Sequence, residues 1–219
     1  MNEFIIEPNN YLTENIRAFY NSDYVGGRDN WQRDGTVENI ICTLKNDITP
    51  FDENALQKVV KHLSNILSND LPEILQLTGL NNLTVCVIRR AKVNYEQNQL
   101  LFKSTVSDVL DQLGGFSNGT DFIIRCIDTR TTHRNRVGHG GNGDLPYPGI
   151  TTTTCTISNY VRGKGILLID DLYTGAVNID EDAKELIAEK QVKIITDEVI
   201  YKLIENLVEF RQEKQREIE

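Results

Sequence analysis

The apolar run Ile166–Ile169 leads directly into two adjacent carboxylates, Asp170 and Asp171. A short, continuous apolar run is typical of a parallel strand that is buried on both faces of a sheet. Similar runs alternate along the chain with patterns of helical period. The strand-like segments are residues 83–88, 122–127, 151–160 and 192–195, and the helix-like segments are residues 52–67, 100–113, 181–190 and 197–216. We therefore expect an α/β fold with a doubly wound, mostly parallel sheet.

The N-terminal part of the chain lacks this regular alternation. The first 35 residues are polar and irregular, with one weak helical stretch near residues 12–19. Residues 37–44 form an apolar run that is compatible with a strand or with the start of a helix. The helix over 52–67 is expected to end there, since a Ser-Asn-Asp segment follows it and Pro72 lies beyond. We therefore expect the N-terminal part of the chain to be helical or irregular.

Asp170 and Asp171 stand at the predicted carboxyl end of a strand, which is where open α/β sheets bind their ligands. A Thr174-Gly175 turn follows, and the amides and dipole of a helix that begins there favour a bound anion. The carboxylates can accept hydrogen bonds from sugar hydroxyls or hold Mg²⁺ through water. Together these features indicate a ribose 5-phosphate binder. Two alternatives stay open: the acids mark only the exit of the strand into solvent, and Asn178 begins a capping box.

The chain is acidic, with 23 Lys and Arg against 32 Asp and Glu and a formal net charge of −9. This balance argues against bulk binding of nucleic acid or of an anionic membrane. Positive charge is nevertheless concentrated after two predicted strands. The first group is Arg89, Arg90 and Lys92, and the second is Arg125, Arg130, Arg134 and Arg136, with His133 and His139. The second group opens a polar stretch over 129–149, whose length is typical of a functional or disordered loop. Each group alone is also compatible with a solvated face.

Residues 166–178 resemble the phosphoribosyl pyrophosphate (PRPP) signature of the type I phosphoribosyltransferases, most closely that of the ComF-like competence proteins and the amidophosphoribosyltransferases. The signature has four hydrophobic residues, two acids and a Thr, followed by a Gly and then a Thr or Ser. The matching residues are Ile166–Ile169, Asp170, Asp171 and Thr174. Ala176 stands at the position of the family's Gly, and Asn178 at that of its Thr or Ser. The resemblance covers residues 83–196.

The resemblance implies binding roles after two strands. The 5-phosphate would bind to the loop of Tyr173, Thr174, Gly175, Ala176, Val177 and Asn178. Asp170 and Asp171 would act in catalysis by contacting the ribose hydroxyls, directly or beside Mg²⁺. Arg89, Arg90 and Lys92 would bind the pyrophosphate.

The polar stretch 129–149 resembles the flexible loop that closes over the active site in this family. Arg130 and Arg136 belong to it and are assigned by the resemblance to catalysis. Lys45 resembles a Lys that follows a hydrophobic segment in ComF-like proteins. The resemblance implies Mg²⁺ as cofactor, PRPP or a related phosphorylated ribose or nucleotide as ligand, and a small nitrogenous acceptor that the sequence does not identify.

The family fold further implies an N-terminal hood in residues 1–80 and a core in residues 81–219 that ends in a C-terminal helix. Dimers are usual in the family, which leaves a homodimer open. The N-terminus does not resemble a signal peptide, and no apolar stretch reaches the roughly 18 residues that span a bilayer, so we expect a cytoplasmic protein without membrane contact.

Other classes of function stay open. One is a non-catalytic PRPP or nucleotide sensor, or a ComF-like accessory protein, on the same fold. Another is a scaffold whose C-terminal helix over 197–216 pairs with a partner. The four cysteines lack the paired spacing of a zinc or redox motif, so the zinc finger of the ComF-like proteins is not expected.

Overall fold

A computed structural model describes residues 1–8, 15–24, 29–48, 50–131, 143, 149–171 and 195–197 of the protein. The strands are β1 (Asn2–Ile6), β2 (Ile16–Tyr20), β3 (Leu83–Val87), β4 (Phe116–Asn118), β5 (Ile123–Arg125), β6 (Cys155–Ile157), β7 (Ile166–Ile169) and β8 (Ile195–Asp197). The α-helices are α1 (Val37–Lys45), α2 (Glu53–Thr78) and α3 (Leu101–Leu110), with short 3₁₀ helices at Asn30–Gln32, Gln97–Gln99 and Asn159–Val161. The expected mixed α/β class is confirmed. None of the helices described is long and apolar enough to cross a membrane.

Six of these strands form one sheet in the order β1-β2-β8-β7-β3-β4. The β1–β2 pair at one edge is antiparallel, and the neighbouring pairs from β2 to β4 are parallel. β7 lies inside the sheet, and each of its four residues is at most 1% exposed. The expected parallel sheet around a buried Ile166–Ile169 strand is therefore confirmed.

The register of β3 and β7 brings two charged segments to one edge of the sheet. Val87, the last residue of β3, pairs with Ile169, the last residue of β7. The amide N–H of Ile88 then donates to the Ile169 carbonyl at 2.9 Å. The segments that begin at Arg89 and Asp170 therefore leave the sheet side by side.

Alternate residues of β7 face two separate cores. Leu167 and Ile169 pack with apolar residues of α1, α2 and α3. Ile166 and Leu168 pack on the opposite face with residues of β5 and β6. In the part of the chain that the structure describes, the three α-helices thus cover one face of the sheet. The predicted helix over 181–190 and residues 198–216 of the second predicted helix, which would complete a doubly wound arrangement, fall outside the described residues. Asp197, the predicted first residue of that second helix, is instead the last residue of β8.

The N-terminal segment forms strands where the sequence predicted an irregular or weakly helical region. β2 pairs antiparallel with β1 and parallel with β8, so both strands belong to the six-stranded sheet. Ile16 and Ala18 join one core and Phe19 joins the other, which is the period of two that a strand requires. The helical prediction is wrong for this segment. The sheet contains strands from both sides of residue 80. The division of the chain into a hood and a core at that residue stays a prediction.

Residues 122–127 contain a strand, but it does not join the main sheet. β5 pairs antiparallel with β6 in a separate two-stranded sheet. Ile124 is 50% exposed between the buried Ile123 and Arg125, so this run buries one face, whereas a central parallel strand buries both. The strand predicted over 151–160 is confirmed only for the three residues of β6.

α2 continues past its predicted end and passes through Pro72 to Thr78. A Pro in a helix interior removes a backbone hydrogen bond and costs about 3 kcal/mol. The apolar spacing nevertheless continues, since Leu67, Leu71 and Ile74 are each at most 1% exposed. Burial of such side chains contributes about 1.5–3 kcal/mol each, which outweighs the cost of the Pro.

Replacing Pro72 should therefore stabilise the protein. Pro72 is exposed, so Pro72→Ala loses little packing and restores a donor for the Ser68 carbonyl. We expect the free energy of unfolding to rise by about 1–3 kcal/mol, measured by urea unfolding followed by circular dichroism. Glu73→Ala, at the exposed neighbouring position, is the control and should stay within about 0.5 kcal/mol of the wild type. A loss of stability in Pro72→Ala would show that the packing of α2 requires the Pro.

Candidate functional site

A cleft at the carboxyl edge of the sheet contains both charged segments that follow β3 and β7. Its charged lining residues are Lys45, Arg89, Arg90, Lys92, Lys103, Asp170 and Asp171. The cleft, called here the polar cleft, has about 480 Å³ of empty space, part of which is open to solvent. The structure thus brings the predicted acid pair and the predicted pyrophosphate-binding residues together.

The short helix α1 brings Lys45 to the acid pair. The Thr36 side chain caps the start of α1 by accepting a hydrogen bond from the Asn39 N–H at 3.2 Å, and Asn46 ends the helix with a left-handed φ of 45°. Lys45 lies in the last turn, with its Nζ 3.0 Å from Asp171 Oδ1. The two side chains are only 16% and 9% exposed. This largely buried ion pair ties α1 to the end of β7.

One lysine thus faces two carboxyl groups. The Asp171 N–H donates to Asp170 Oδ1 at 2.8 Å. Burial, and then the negative charge of Asp171, raise the pKa of Asp170 well above its usual range, and Lys45 opposes this only in part. Burial alone would lower the pKa of Lys45, but the charges of Asp171 and Asp170 outweigh it and hold that pKa above its ordinary value. A bound cation would favour the ionised form of Asp170 and so oppose this rise of its pKa.

Arg90 has its hydrogen-bond donors committed to neighbouring segments. Its Nη1 donates to the carbonyls of Lys45 at 3.1 Å and Gln99 at 2.6 Å, and its Nη2 lies 2.5 Å from Asp47 Oδ2. The guanidinium also stacks over the Tyr95 ring, 4.1 Å from its centroid. Arg90 therefore joins the end of β3 to the end of α1, and a pyrophosphate would have to compete with these partners.

Lys92 and Arg125 hold the first basic segment against the two ends of the 129–149 stretch. Lys92 Nζ donates to the Thr129 carbonyl at 2.9 Å. Arg125 is 3% exposed and donates to the carbonyls of Arg90 at 2.6 Å, Gly149 at 3.1 Å and Arg89 at 3.3 Å. Arg125 thus positions the backbone of the cleft, although the sequence grouped it with the loop cations.

Arg89 differs from the other basic residues of the polar cleft. It is half-buried, and its guanidinium makes no hydrogen bond or ion pair to the residues that the structure describes. Lys103, by contrast, forms an ion pair with Asp121. Arg89 is therefore the guanidinium best placed to receive a bound anion.

Several predicted site residues lie elsewhere. Arg130 donates from Nε to the Gly143 carbonyl at 2.8 Å and is not among the residues that line the polar cleft. The predicted 5-phosphate loop, Tyr173, Thr174, Gly175, Ala176, Val177 and Asn178, lies outside the described residues, as does Arg136. Their assigned roles stay predictions.

The sequence did not predict that α1 would contribute to this cleft. Lys45 was indicated only by a family resemblance, and Asp47 and Tyr95 were not singled out. The sequence did contain a local signal for this helix. Thr36 is a residue type that often caps the start of a helix, and Lys45 followed by Asn46 suits its end. The contacts of that helix with β7 could not be predicted in the same way, because they join residues more than 100 positions apart.

Mg²⁺ needs few protein ligands, and the acid pair can supply them. Among the residues described, no group of three or more His, Cys, Asp and Glu side chains is placed to hold a metal ion. Mg²⁺ usually keeps several waters and binds through one or two carboxylates together with substrate phosphates. Asp170 and Asp171 suit that arrangement, in which an ion at Asp171 would share or replace the contact with Lys45.

No protein-family model matches the chain, and no curated protein matches its sequence significantly. The resemblance of residues 166–178 to the PRPP signature stays a prediction. A functional assignment therefore depends on the geometry of the polar cleft.

Proposed function

We propose that this protein is a Mg²⁺-dependent phosphoribosyltransferase that binds PRPP in the polar cleft and transfers its ribose 5-phosphate group to a nitrogenous acceptor. The observation that carries the proposal is the register of β3 and β7, which puts Arg89 and the Asp170–Asp171 pair in one cleft. PRPP has a diol next to its phosphate groups, so it requires both hydrogen-bond acceptors and cations. The doubly wound fold of the type I phosphoribosyltransferases is part of the same proposal.

In the proposed reaction, Arg89 and Lys92 hold the pyrophosphate, which gains negative charge as it leaves. Asp170 and Asp171 accept hydrogen bonds from the ribose hydroxyls and would hold Mg²⁺, which would supply positive charge to stabilise the leaving group. The lone pair of the acceptor nitrogen forms the new C–N bond as the C–O bond to pyrophosphate breaks. The pyrophosphate keeps that electron pair, and a proton of the nitrogen passes to solvent. Charge stabilisation and exclusion of water then account for most of the rate.

Calorimetric titration with PRPP, with and without Mg²⁺, tests the proposal. We expect saturable binding that is tighter with Mg²⁺, and release of pyrophosphate once a suitable amine or base is added. Absence of binding under both conditions would contradict the proposal, because the reaction requires a bound donor.

Arg89→Ala should weaken PRPP binding more than the loss of an ordinary surface charge. A hydrogen bond to a charged group contributes about 1.5–3 kcal/mol, so we expect the affinity for PRPP to fall about 10- to 100-fold. Arg162→Ala, at an exposed position outside the polar cleft, is the matched control and should bind like the wild type. Equal affinities of the two variants would remove Arg89 from the proposed site.

A second candidate function is a non-catalytic PRPP or nucleotide sensor, or a ComF-like accessory protein. The observation that favours it is the pairing of Asp171 with Lys45 and of Arg90 with Asp47. A ligand that exchanged these partners would change the contacts of α1, which is a response suited to signalling. Saturable PRPP binding without pyrophosphate release, against a panel of amines, bases and orotate-like acids, would favour the sensor.

A further inference from the structure

A second cavity, called here the apolar cavity, adjoins the polar cleft on the helical face of the sheet. Its walls include Val37, Ile40 and Ile41 of α1, Leu63 and Ile66 of α2, and Phe102 of α3. It contains about 650 Å³ of empty space, part of which is open to solvent. The mostly apolar lining suits a small ligand with an apolar body.

The two spaces meet at the acid pair. Leu44, Phe102, Asp170 and Asp171 line both the polar cleft and the apolar cavity. A reaction between two bound substrates requires adjoining spaces, because the reacting atoms must come within about 3–3.5 Å of each other. The acid pair therefore lies at the position where a donor in one space and an acceptor in the other would meet.

Apart from the acid pair, the polar residues of the cavity wall are Asn21, Ser22 and His62. The first two are hydrogen-bonded to protein groups. Asn21 Nδ2 donates to Asp70 Oδ2 at 3.0 Å, and Ser22 Oγ donates to Asn21 Oδ1 at 2.8 Å. The acid pair thus supplies the carboxyl groups of a wall that is otherwise mostly apolar, with His62 as its one imidazole.

We propose that the apolar cavity binds the acceptor, and that this acceptor is an uncharged aromatic amine whose nitrogen faces Asp170 and Asp171. The inference rests on the proposed function, since an acceptor requires a phosphoribosyl donor in the polar cleft. No Lys or Arg is among the residues that line the apolar cavity, so an anionic ligand would lose its water there without gaining such a partner, and an aliphatic wall offers a permanent cation no replacement for its water. An uncharged nitrogen can donate a hydrogen bond to a carboxylate oxygen and keep the lone pair that attacks the ribose carbon.

Binding of aniline to the full chain tests this inference, and benzoate, which has a similar size but a negative charge, is the control ligand. Ligand-observed NMR titrations measure both ligands, while calorimetry measures PRPP with Mg²⁺ on the same protein. We expect aniline to bind, and benzoate to bind at least about tenfold more weakly, because its carboxylate would lose its water in a cavity lined by no Lys or Arg.

Cavity-filling variants locate the bound aniline. Ile40→Phe and Ile66→Phe enlarge half-buried side chains on two different helices, so that one variant serves if the other does not fold. Leu77→Phe, on α2 but 43% exposed and outside the cavity, is the matched control. We expect the aniline affinity to fall at least about tenfold in the filled variants, with PRPP affinity unchanged, and to stay at the wild-type value in Leu77→Phe.

The outcomes separate this inference from the proposed function. A protein that binds PRPP but not aniline, or whose filled variants bind aniline like the wild type, would overturn the inference alone. Benzoate binding as tight as aniline binding would also overturn it. Aniline binding without PRPP binding would overturn the proposed function, and the acceptor role with it.

Discussion

Changing Asp170 and Asp171 together to Asn is expected to lower the affinity for PRPP and Mg²⁺ by at least about 100-fold. The amides keep the shape of the carboxyl groups but lose the negative charge that the ribose hydroxyls and the metal ion require. A charged hydrogen bond contributes about 1.5–3 kcal/mol, so the loss of two corresponds to about two orders of magnitude or more. Calorimetric titration with PRPP in the presence of Mg²⁺ measures the effect.

The double variant also removes the carboxylate partner of Lys45, so folding must be measured separately from binding. A triple variant that adds Lys45→Met removes the unpaired cation as well. We expect both variants to lose PRPP binding, with a higher melting temperature in the triple variant. Wild-type affinity in a folded triple variant would show that the acid pair does not contact the ligand.

Lys45→Met alone is expected to destabilise the protein by about 3–5 kcal/mol, because it leaves Asp171 as a buried charge without its partner. Urea unfolding measures the change. The compensated variant Lys45→Met with Asp171→Leu removes both charges and should regain most of the lost stability, since a buried ion pair can often be replaced by apolar groups. If the compensated variant were as unstable as Lys45→Met, the loss would come from packing of the lysine stem instead.

The single variant Lys45→Met should also change the pH dependence of stability. In the wild type, folded Asp170 keeps its proton at pH values where the unfolded chain, with an Asp pKa of about 3.9, has lost it. The folded state then binds more protons than the unfolded state, so stability falls as the pH rises from about 4 through the raised pKa of Asp170. Lys45→Met should extend this range upwards, because the carboxyl groups lose their cation. We expect the variant to be more stable at pH 5 than at pH 7, by a larger margin than the wild type.

The buried strand and its acid pair were predictable because their signal is local. Four consecutive apolar residues and the two acids that follow are visible within six positions, and the structure buries all four apolar residues. β2 was not predictable in the same way. Leu12, Ile16 and Phe19 are spaced by four and three positions, which suits a helix, yet Ile16 and Phe19 face opposite cores. That difference depends on β8, which pairs with β2 from 178 positions further along the chain.

The sequence by itself determined that a buried parallel strand ends in two carboxylates and that three cations follow another strand, because apolar continuity and charge are properties of neighbouring residues. Only the tertiary structure decided how those cations differ. Arg89 and Arg90 are adjacent and carry the same charge, but Arg90 is held by carbonyls and a carboxylate from distant segments, whereas Arg89 is left facing the cleft. The structure also supplied Lys45 and the apolar cavity, since both arise where helices from the N-terminal part pack against β7. The packing of distant segments thus separates residues that hold the cleft together from residues that face a ligand.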